Sequence, residues 1–485
     1  MPVPFADLPA AVTDMSAIEL GAAIRGRRVS CREVMDAYLD RIAAVNPTVN
    51  AIVSLRDPDA LCREAGERDA EIARGLWRGP LMGFPQAPKD LTATAGIPTT
   101  QGSPILAGFV PETDAIVVER ARRAGAILIG KTNTPEFGLG SHTCNRLFGT
   151  TANPWAPGLS AGGSSGGAAV ALATRMLPVA DGSDMMGSLR NPAGWNNVVG
   201  LRPSFGRVPT GPAAEVFLQQ LATDGPMGRT VADTALLLSV QAGHDPRAPL
   251  SLADDPAVFA GPLERDWTGA RIGWLGDLGG QVALEPGVEE VCRRALGHFE
   301  ALGCIVEEVA PEFDMEALWD AWVVLRGVLV AGAARPHHAD PARRAELKPE
   351  LVWEIEKGLA LTGPAIFAAS VTRSAWYQEL RRLFARHDFL VLPSAQLFPF
   401  DAALPWPDRI GDRAMDSYHR WMEVMIPGTL GGGPVLAVPA GFDGRGRPIG
   451  LQIHGPARAD LATLQVGAAY EAASGFSRLR PPAAG

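Results

Sequence analysis

Gly162-Gly163-Ser164-Ser165-Gly166-Gly167, followed by the small-residue run from Ala168 to Thr174 and then by Asp181-Gly182-Ser183-Asp184-Met185-Met186-Gly187-Ser188-Leu189-Arg190, is the stretch on which the fold turns. Glycines at this density let backbone N–H groups converge on an anion or an oxyanion. A flexible Gly/Ser linker is embedded in polar sequence, whereas this run opens directly into apolar, helix-like residues. Outward from it lie short apolar runs, Ala126-Ile127-Leu128-Ile129 and Leu177-Pro178-Val179-Ala180, separated by Gly, Ser, Asn and Pro clusters. They predict buried strands feeding functional loops. Further out, Arg271-Ile272-Gly273-Trp274-Leu275 predicts a strand and Val288 to Leu302 a helix, an alternation that gives an α/β class. Towards the other end, Val34, Ala37, Tyr38 and Ile42 recur at helical spacing within Met15 to Arg74. The turn signal Asn46-Pro47 is expected to break this region and Gly75 to end it, giving an N-terminal helical layer over 1–75.

Composition narrows the function classes. The 485 residues are 47% hydrophobic and 20% charged, an ordinary globular balance with enough apolar surface for a sizeable core. A net charge of -9 supplies no basic stripe for phosphates, so nucleic acid is not an expected partner. Cys31, Cys62, Cys144, Cys292 and Cys304 are scattered and include no C-x-x-C pair, which predicts reduced thiols and no metal site. Met1 to Asp14 has two acids and no Lys or Arg, unlike a secretory leader, and a cytoplasmic location is expected. Trp319 to Ala334 is the nearest approach to a membrane span, interrupted by Asp320 and Arg326, and no membrane association is expected.

Two general motifs compete for the region. Gly162-Gly163-Ser164-Ser165-Gly166 satisfies the G-x-S-x-G nucleophile elbow, which needs an acid and then a histidine downstream. His244, His298, His337, His338, His387, His419 and His454 are available, but none stands in a catalytic-looking context. Gly125 to Thr132 satisfies the P-loop pattern G-x-x-x-x-G-K-[ST] and would imply a nucleotide-binding protein. Its four central residues, Ala126 to Ile129, are apolar and predict a buried strand, whereas a phosphate cradle needs exposed N–H groups there.

A longer set of segments resembles the amidase signature hydrolases. These are Ala87-Pro88-Lys89-Asp90, Gly130 to Phe137, Asn153-Pro154-Trp155, the Gly162 to Gly167 run, Asp184 to Arg190, and Pro434 to Pro456, the last resembling that family's C-terminal strand pair. The resemblance implies an α/β/α fold, a mixed twisted β-sheet surrounded by helices, with a catalytic region over 76–485 and the N-terminal layer over 1–75 as part of the same domain. It also implies a Ser, cis-Ser, Lys triad with no cofactor and no metal. Ser164 and Ser188 stand 24 apart, the family's separation, so Ser188 takes the nucleophile role, Ser164 the relay and Lys89 the base. Ser165 resembles the family's supporting hydroxyl, and Asp184 with Arg190 is expected to order the loop.

The chemistry also follows from the groups themselves. A serine hydroxyl is a weak nucleophile and must lose its proton as it attacks. Lysine, with a pKa of about 10.4, needs roughly 4 to 5 kcal/mol of burial to reach ~7. Ala87, Pro88 and Leu91 favour such burial, while Asp90 would oppose it if its carboxylate approached.

The turn before Ser188 departs from the family's Thr-Gly-Gly-Ser and reads Met185-Met186-Gly187-Ser188. Its four N–H groups are expected to form the oxyanion hole, with the methionines adding an apolar wall. Six of the eleven tryptophans, Trp319, Trp322, Trp353, Trp376, Trp406 and Trp421, fall within 311–430, the region expected to cover the site. They are read as core or lid packing, with a pocket lining as the alternative. The resemblance leans towards arylacylamidases and small-carbamate hydrolases (urethanases), and the expected substrates are small, partly apolar amides, anilides or carbamates cleaved through an acyl- or carbamoyl-enzyme. The glutamine-hydrolysing subunit of an amidotransferase complex is the alternative. A monomer or homodimer is expected.

Overall fold

The structure, a computed structural model, describes residues 11–482, so residues 1–10 of the stretch behind the leader reading lie outside it. Capping boxes start the first two helices: Ser16 and Ser30 each accept the N–H of a glutamate three residues on, which accepts the serine N–H in return. Helices Ala17–Arg25 and Cys31–Val49 follow, and Asp57 with Pro58 then opens Pro58–Ala73. The expected break at Asn46-Pro47 does not occur, and the helix runs on to Val49 before Asn50 turns left-handed at φ 50°. Pro47 has no N–H to donate to Ala43 O and so removes one helical hydrogen bond, yet Thr48 and Val49 remain helical. Asn46 then closes the end, its Oδ1 accepting the amides of Ala51 and Ile52 and its Nδ2 donating to Ile52 O.

The centre is an eight-stranded mixed sheet. Its strands are β1 (Val179–Asp184), β2 (Val199–Arg202), β3 (Thr223–Gly228), β4 (Arg271–Trp274), β5 (Ile305–Glu308), β6 (Phe389–Pro393), β7 (Val435–Phe442) and β8 (Pro448–His454). They lie in the order β5-β4-β6-β8-β7-β2-β3-β1, with β4 parallel to β5 and β6 and the other pairs antiparallel. The C-terminal strand pair is the β7–β8 hairpin, and the strand and helix expected from 271 and 288 are β4 and Val288–Ala301. The apolar run at 126–129 is buried as expected but stays out of this sheet, Ile127–Leu128 pairing in parallel with Pro85–Gln86. Lys131, which a P-loop would aim at phosphate, is buried with its Nζ 2.5 Å from Thr92 O and 2.8 Å from Thr94 Oγ1.

Two helices flank β1 and carry the Gly/Ser segments. Helix Gly166–Ala173 is buried at every residue, as a helix apolar on all sides must be. A Cβ on Gly167 would stand 2.4 Å from Asn133 N, so the glycine permits the close approach of the Gly130–Phe137 segment. Helix Arg190–Asn196, also wholly buried, lies between the turn at 185–189 and β2.

Helix Met315–Ala339, which contains the run nearest to a membrane span in the sequence, is long and apolar enough to cross a membrane by length and composition alone. Here it packs against helices Pro349–Leu359 and Gly363–Phe384, buries Trp319 and Trp322, and ion-pairs its mid-helix Arg326 with Glu354. Trp376 and Trp421 are likewise core residues, Trp421 stacking on Trp195 and also bordering an outer cavity that the less buried Trp406 lines.

Candidate active site

Lys89 enters the site from a single parallel bridge to Thr132, with its backbone N–H donating to Asp181 Oδ2 at 3.2 Å. Its Nζ lies 2.7 Å from Ser164 Oγ, 3.0 Å from Ser165 Oγ and 3.1 Å from Ser183 Oγ, with no solvent exposure. The Gly163–Ser164 peptide is cis. Ser165 links the two serine segments, since its N–H donates to Ser188 O at 3.3 Å. Ser164, Ser183 and Ser188 line one cavity of about 200 Å3. None of the downstream histidines holds the position on Ser164 that Lys89 occupies.

Burial brings the Lys89 ammonium down to about 7, against the pull of Asp184, Asp224 and Asp181, which favour the charged form. Asp90, the sequence neighbour expected to oppose this, turns away. Its carboxylate accepts Thr100 N at 3.0 Å, Thr100 Oγ1 and Gly102 N. The opposing carboxylates come instead from the sheet. Ser183 pairs with Asp224 and Asp181 with Pro226, so Asp181, Ser183 and Asp224 share one face of the β1–β3 pair. Burial raises both acids, Asp224 to about 7 with Asp181 adding to the shift.

The turn at 185–188 hangs on Asp184. Burial by itself would raise this carboxyl, but Arg190 and Arg202 hold it well below the usual carboxylate range. It accepts Gly187 N at 2.9 Å, Leu189 N at 3.1 Å, Arg190 Nε at 2.9 Å and Nη2 at 3.0 Å, and Arg202 Nη1 at 3.1 Å. Arg190 is itself fixed by Met425 O and Gln452 Oε1. Of the four amides assigned to an oxyanion hole, that of Gly187 is therefore already engaged by Asp184. The positive φ of this turn falls at Gly187 (86°), where a Cβ would stand 2.5 Å from Met425 Cγ. Methionine is thus tolerated at 185 and 186. Met186 packs into the main core, while Met185 borders the cavity with its Sδ 3.4 Å from Arg326 Nη1.

Several residues of this site escaped the sequence. Arg202, Asp181, Ser183 and Asp224 belong to strands, and the one visible signal was an acid in the apolar start of β1, Val179-Ala180-Asp181. Arg326, His419 and Met422 reach the cavity from the covering region, and Ser141 from the loop after Phe137. Arg326 showed in the sequence only as a charge within the apolar run 319–334 and His419 only as one of seven downstream histidines; nothing local marks Met422 or Ser141. Among the described residues, no group of three or more His, Cys, Asp or Glu side chains could hold a metal ion.

Comparison with known proteins shows the family of the chain. The amidase family pattern matches residues 33–464. An acylamidase from Rhodococcus erythropolis is 36% identical over 475 residues, covering 96% of this chain and 97% of the relative. One component chain of the glutamyl-tRNA(Gln) amidotransferase of Acidothermus cellulolyticus is 38% identical, covering 94% of each chain. Among solved structures, a bacterial aryl acylamidase of the amidase signature family superposes with a TM-score of 0.88 at 29% identity, covering 96% of this chain and 97% of that one.

Proposed function

The chain belongs to the amidase family, and from that premise we propose that it is a serine hydrolase of amide or carbamate C–N bonds in small, partly apolar or aryl substrates. The observation that carries the reading is the 2.7 Å approach of buried Lys89 Nζ to Ser164 Oγ, in the cavity that Ser188 also lines. In this reading Ser188 Oγ attacks the carbonyl carbon as its proton passes to Ser164 Oγ, whose own proton passes to neutral Lys89 Nζ. The oxyanion is held by N–H groups of Met185, Met186, Gly187 and Ser188, with Gly187 shared with Asp184. The relay then runs backwards to protonate the departing amine nitrogen, leaving an acyl-enzyme from an amide or an alkoxycarbonyl-enzyme from a carbamate; a carbamoyl-enzyme forms where the proton goes instead to a departing carbamate alcohol oxygen. Water enters by the same relay, breaks the ester and restores Ser188. Ser165 supports Lys89, and Asp184 with Arg190 positions the turn. Residues 76–485, with 1–75 as their helical layer, form the catalytic domain, and 311–430 covers the cavity, as the lining by Arg326, Val330, His419 and Met422 supports.

The decisive measurement is aniline release from anilides by the wild type and by Ser188→Ala and Lys89→Ala. Each variant is expected to lose at least about 10^3-fold in kcat. Wild-type turnover by Ser188→Ala would sink the reading. Likeness to the amidotransferase chain favours a second reading, release of ammonia from glutamine for a partner. Glutaminase activity that exceeds anilide turnover and rises with added partner chains would select it.

A further inference from the structure

Helix Met315–Ala339 brings a guanidinium to the wall of the cavity that Ser188 lines. Arg326 is 6% exposed, and its Nε lies 2.7 Å from Glu354 Oε1 while its Nη2 donates to Tyr418 OH at 3.0 Å. Tyr418 OH in turn donates to the same glutamate oxygen. These contacts fix the plane of the guanidinium. Its Nη1 is left facing Met185 Sδ at 3.4 Å, and a thioether is a weak acceptor for a charged donor. Two more polar groups of the same cavity are poorly served. Ser141 Oγ and His419 Nδ1 are buried with no hydrogen-bond partner, and Ser141 also borders an outer cavity of about 450 Å3. Buried polar atoms left this way cost free energy unless a ligand or water completes them.

Resting on the amide-hydrolase reading above, we infer that Arg326 is a specificity-determining residue, whose Nη1 donates to a neutral oxygen acceptor carried by the substrate beside its scissile amide. The substrate class is thereby narrowed from partly apolar amides to amides or carbamates with a second oxygen, such as an ether, ester or carbonyl oxygen. A neutral oxygen suits the site better than a carboxylate. Arg326 is already neutralised by Glu354, so a second carboxylate would be buried without a countercharge. The oxygen replaces the thioether as acceptor, and Met185, unbranched and flexible, can swing aside to admit it.

The test uses substrates that differ by one CH2-to-O exchange. On the acyl side methoxyacetanilide is compared with butyranilide, and on the amine side 4-methoxyacetanilide with 4-ethylacetanilide, each followed by chromatography of the released amine. The enzymes are the wild type, the double variant Arg326→Met/Glu354→Gln, which leaves no unpaired buried charge, and Met185→Leu, which removes the competing sulfur. In one of the two pairs the oxygen-to-carbon ratio of kcat/KM is expected to be about tenfold higher in the wild type than in the double variant, and higher still in Met185→Leu. The pair that responds assigns the acceptor to the acyl or the amine side. Should the double variant fail to fold, the Met185→Leu ratio decides alone, a rise supporting the inference and an unchanged or lower ratio overturning it. Equal ratios in all three enzymes, with normal turnover, overturn the specificity of Arg326 and leave the amide-hydrolase reading standing. No turnover of any of the four anilides overturns the inference, and the hydrolase reading falls with it if ethyl N-phenylcarbamate is also left intact.

Discussion

The floor and the cover of the cavity are both buried and both charged, yet they are satisfied to different degrees. On the floor, Asp184 accepts five hydrogen bonds from Gly187, Leu189, Arg190 and Arg202, and Arg190 is fixed in turn by Met425 and Gln452. On the cover, Arg326 spends one nitrogen on a thioether, and Glu354 Oε2 and His419 Nδ1 have no partner; nor has Ser141 Oγ, which lines the cavity from the loop after Phe137. A carboxylate held as fully as Asp184 keeps one geometry; the floor's own unpartnered atoms, Asp181 Oδ1 and Arg202 Nε, belong to residues that do not line the cavity, whereas Arg326, His419 and Ser141 line it and have capacity for a ligand. Under the proposed reading, the floor breaks the bond and the cover chooses the substrate.

The strongest way to break this division is to remove Ser188 or Lys89, where losses of at least about 10^3-fold in kcat are expected for every substrate alike. A loss confined to some substrates would blur the two regions. Next is Gly187→Ala, which places a Cβ at φ 86° and 2.5 Å from Met425 Cγ. It is expected to cost about 1–3 kcal/mol in urea unfolding and about 10^2-fold in kcat, again without regard to substrate.

A smaller effect concerns pH. Only neutral Lys89 accepts a proton, so kcat/KM is expected to fall tenfold per unit of acidification below about 7. Asp181→Asn removes an anion that favours the ammonium form while keeping an oxygen for the Lys89 N–H. The acid limb is expected to move to lower pH, and an unmoved limb would take Asp181 out of the floor's electrostatics. Smallest is Met185→Leu, expected to change the ratio between oxygen-bearing and all-carbon substrates by less than about tenfold, with the pH profile in place.

Much of the floor was legible because its residues cluster in the chain. Ser164, Ser165, Asp184, Ser188 and Arg190 fall within 27 positions, and their Gly-rich spacing carries the loop chemistry. The exceptions came from strand pairing. Asp224 meets Ser183 only because β3 runs antiparallel to β1, and Arg202 reaches Asp184 from β2. Local signals also misled where tertiary bonds outweighed them. Asn46-Pro47 reads as a turn, but Asn46 spends its side chain on Ala51 and Ile52 and the helix passes through.

The sequence by itself determined the α/β class, the family resemblance and the candidate groups Lys89, Ser164 and Ser188, because periodicity and motif spacing are local properties of a chain. Only the tertiary structure decided that Lys89 is lowered towards neutrality by burial and opposed by Asp184, Asp224 and Asp181 rather than by its neighbour Asp90. It alone brought Arg326 from 141 positions away to Met185. Desolvation and Coulomb interactions depend on distance in space, and separation along the chain does not encode it.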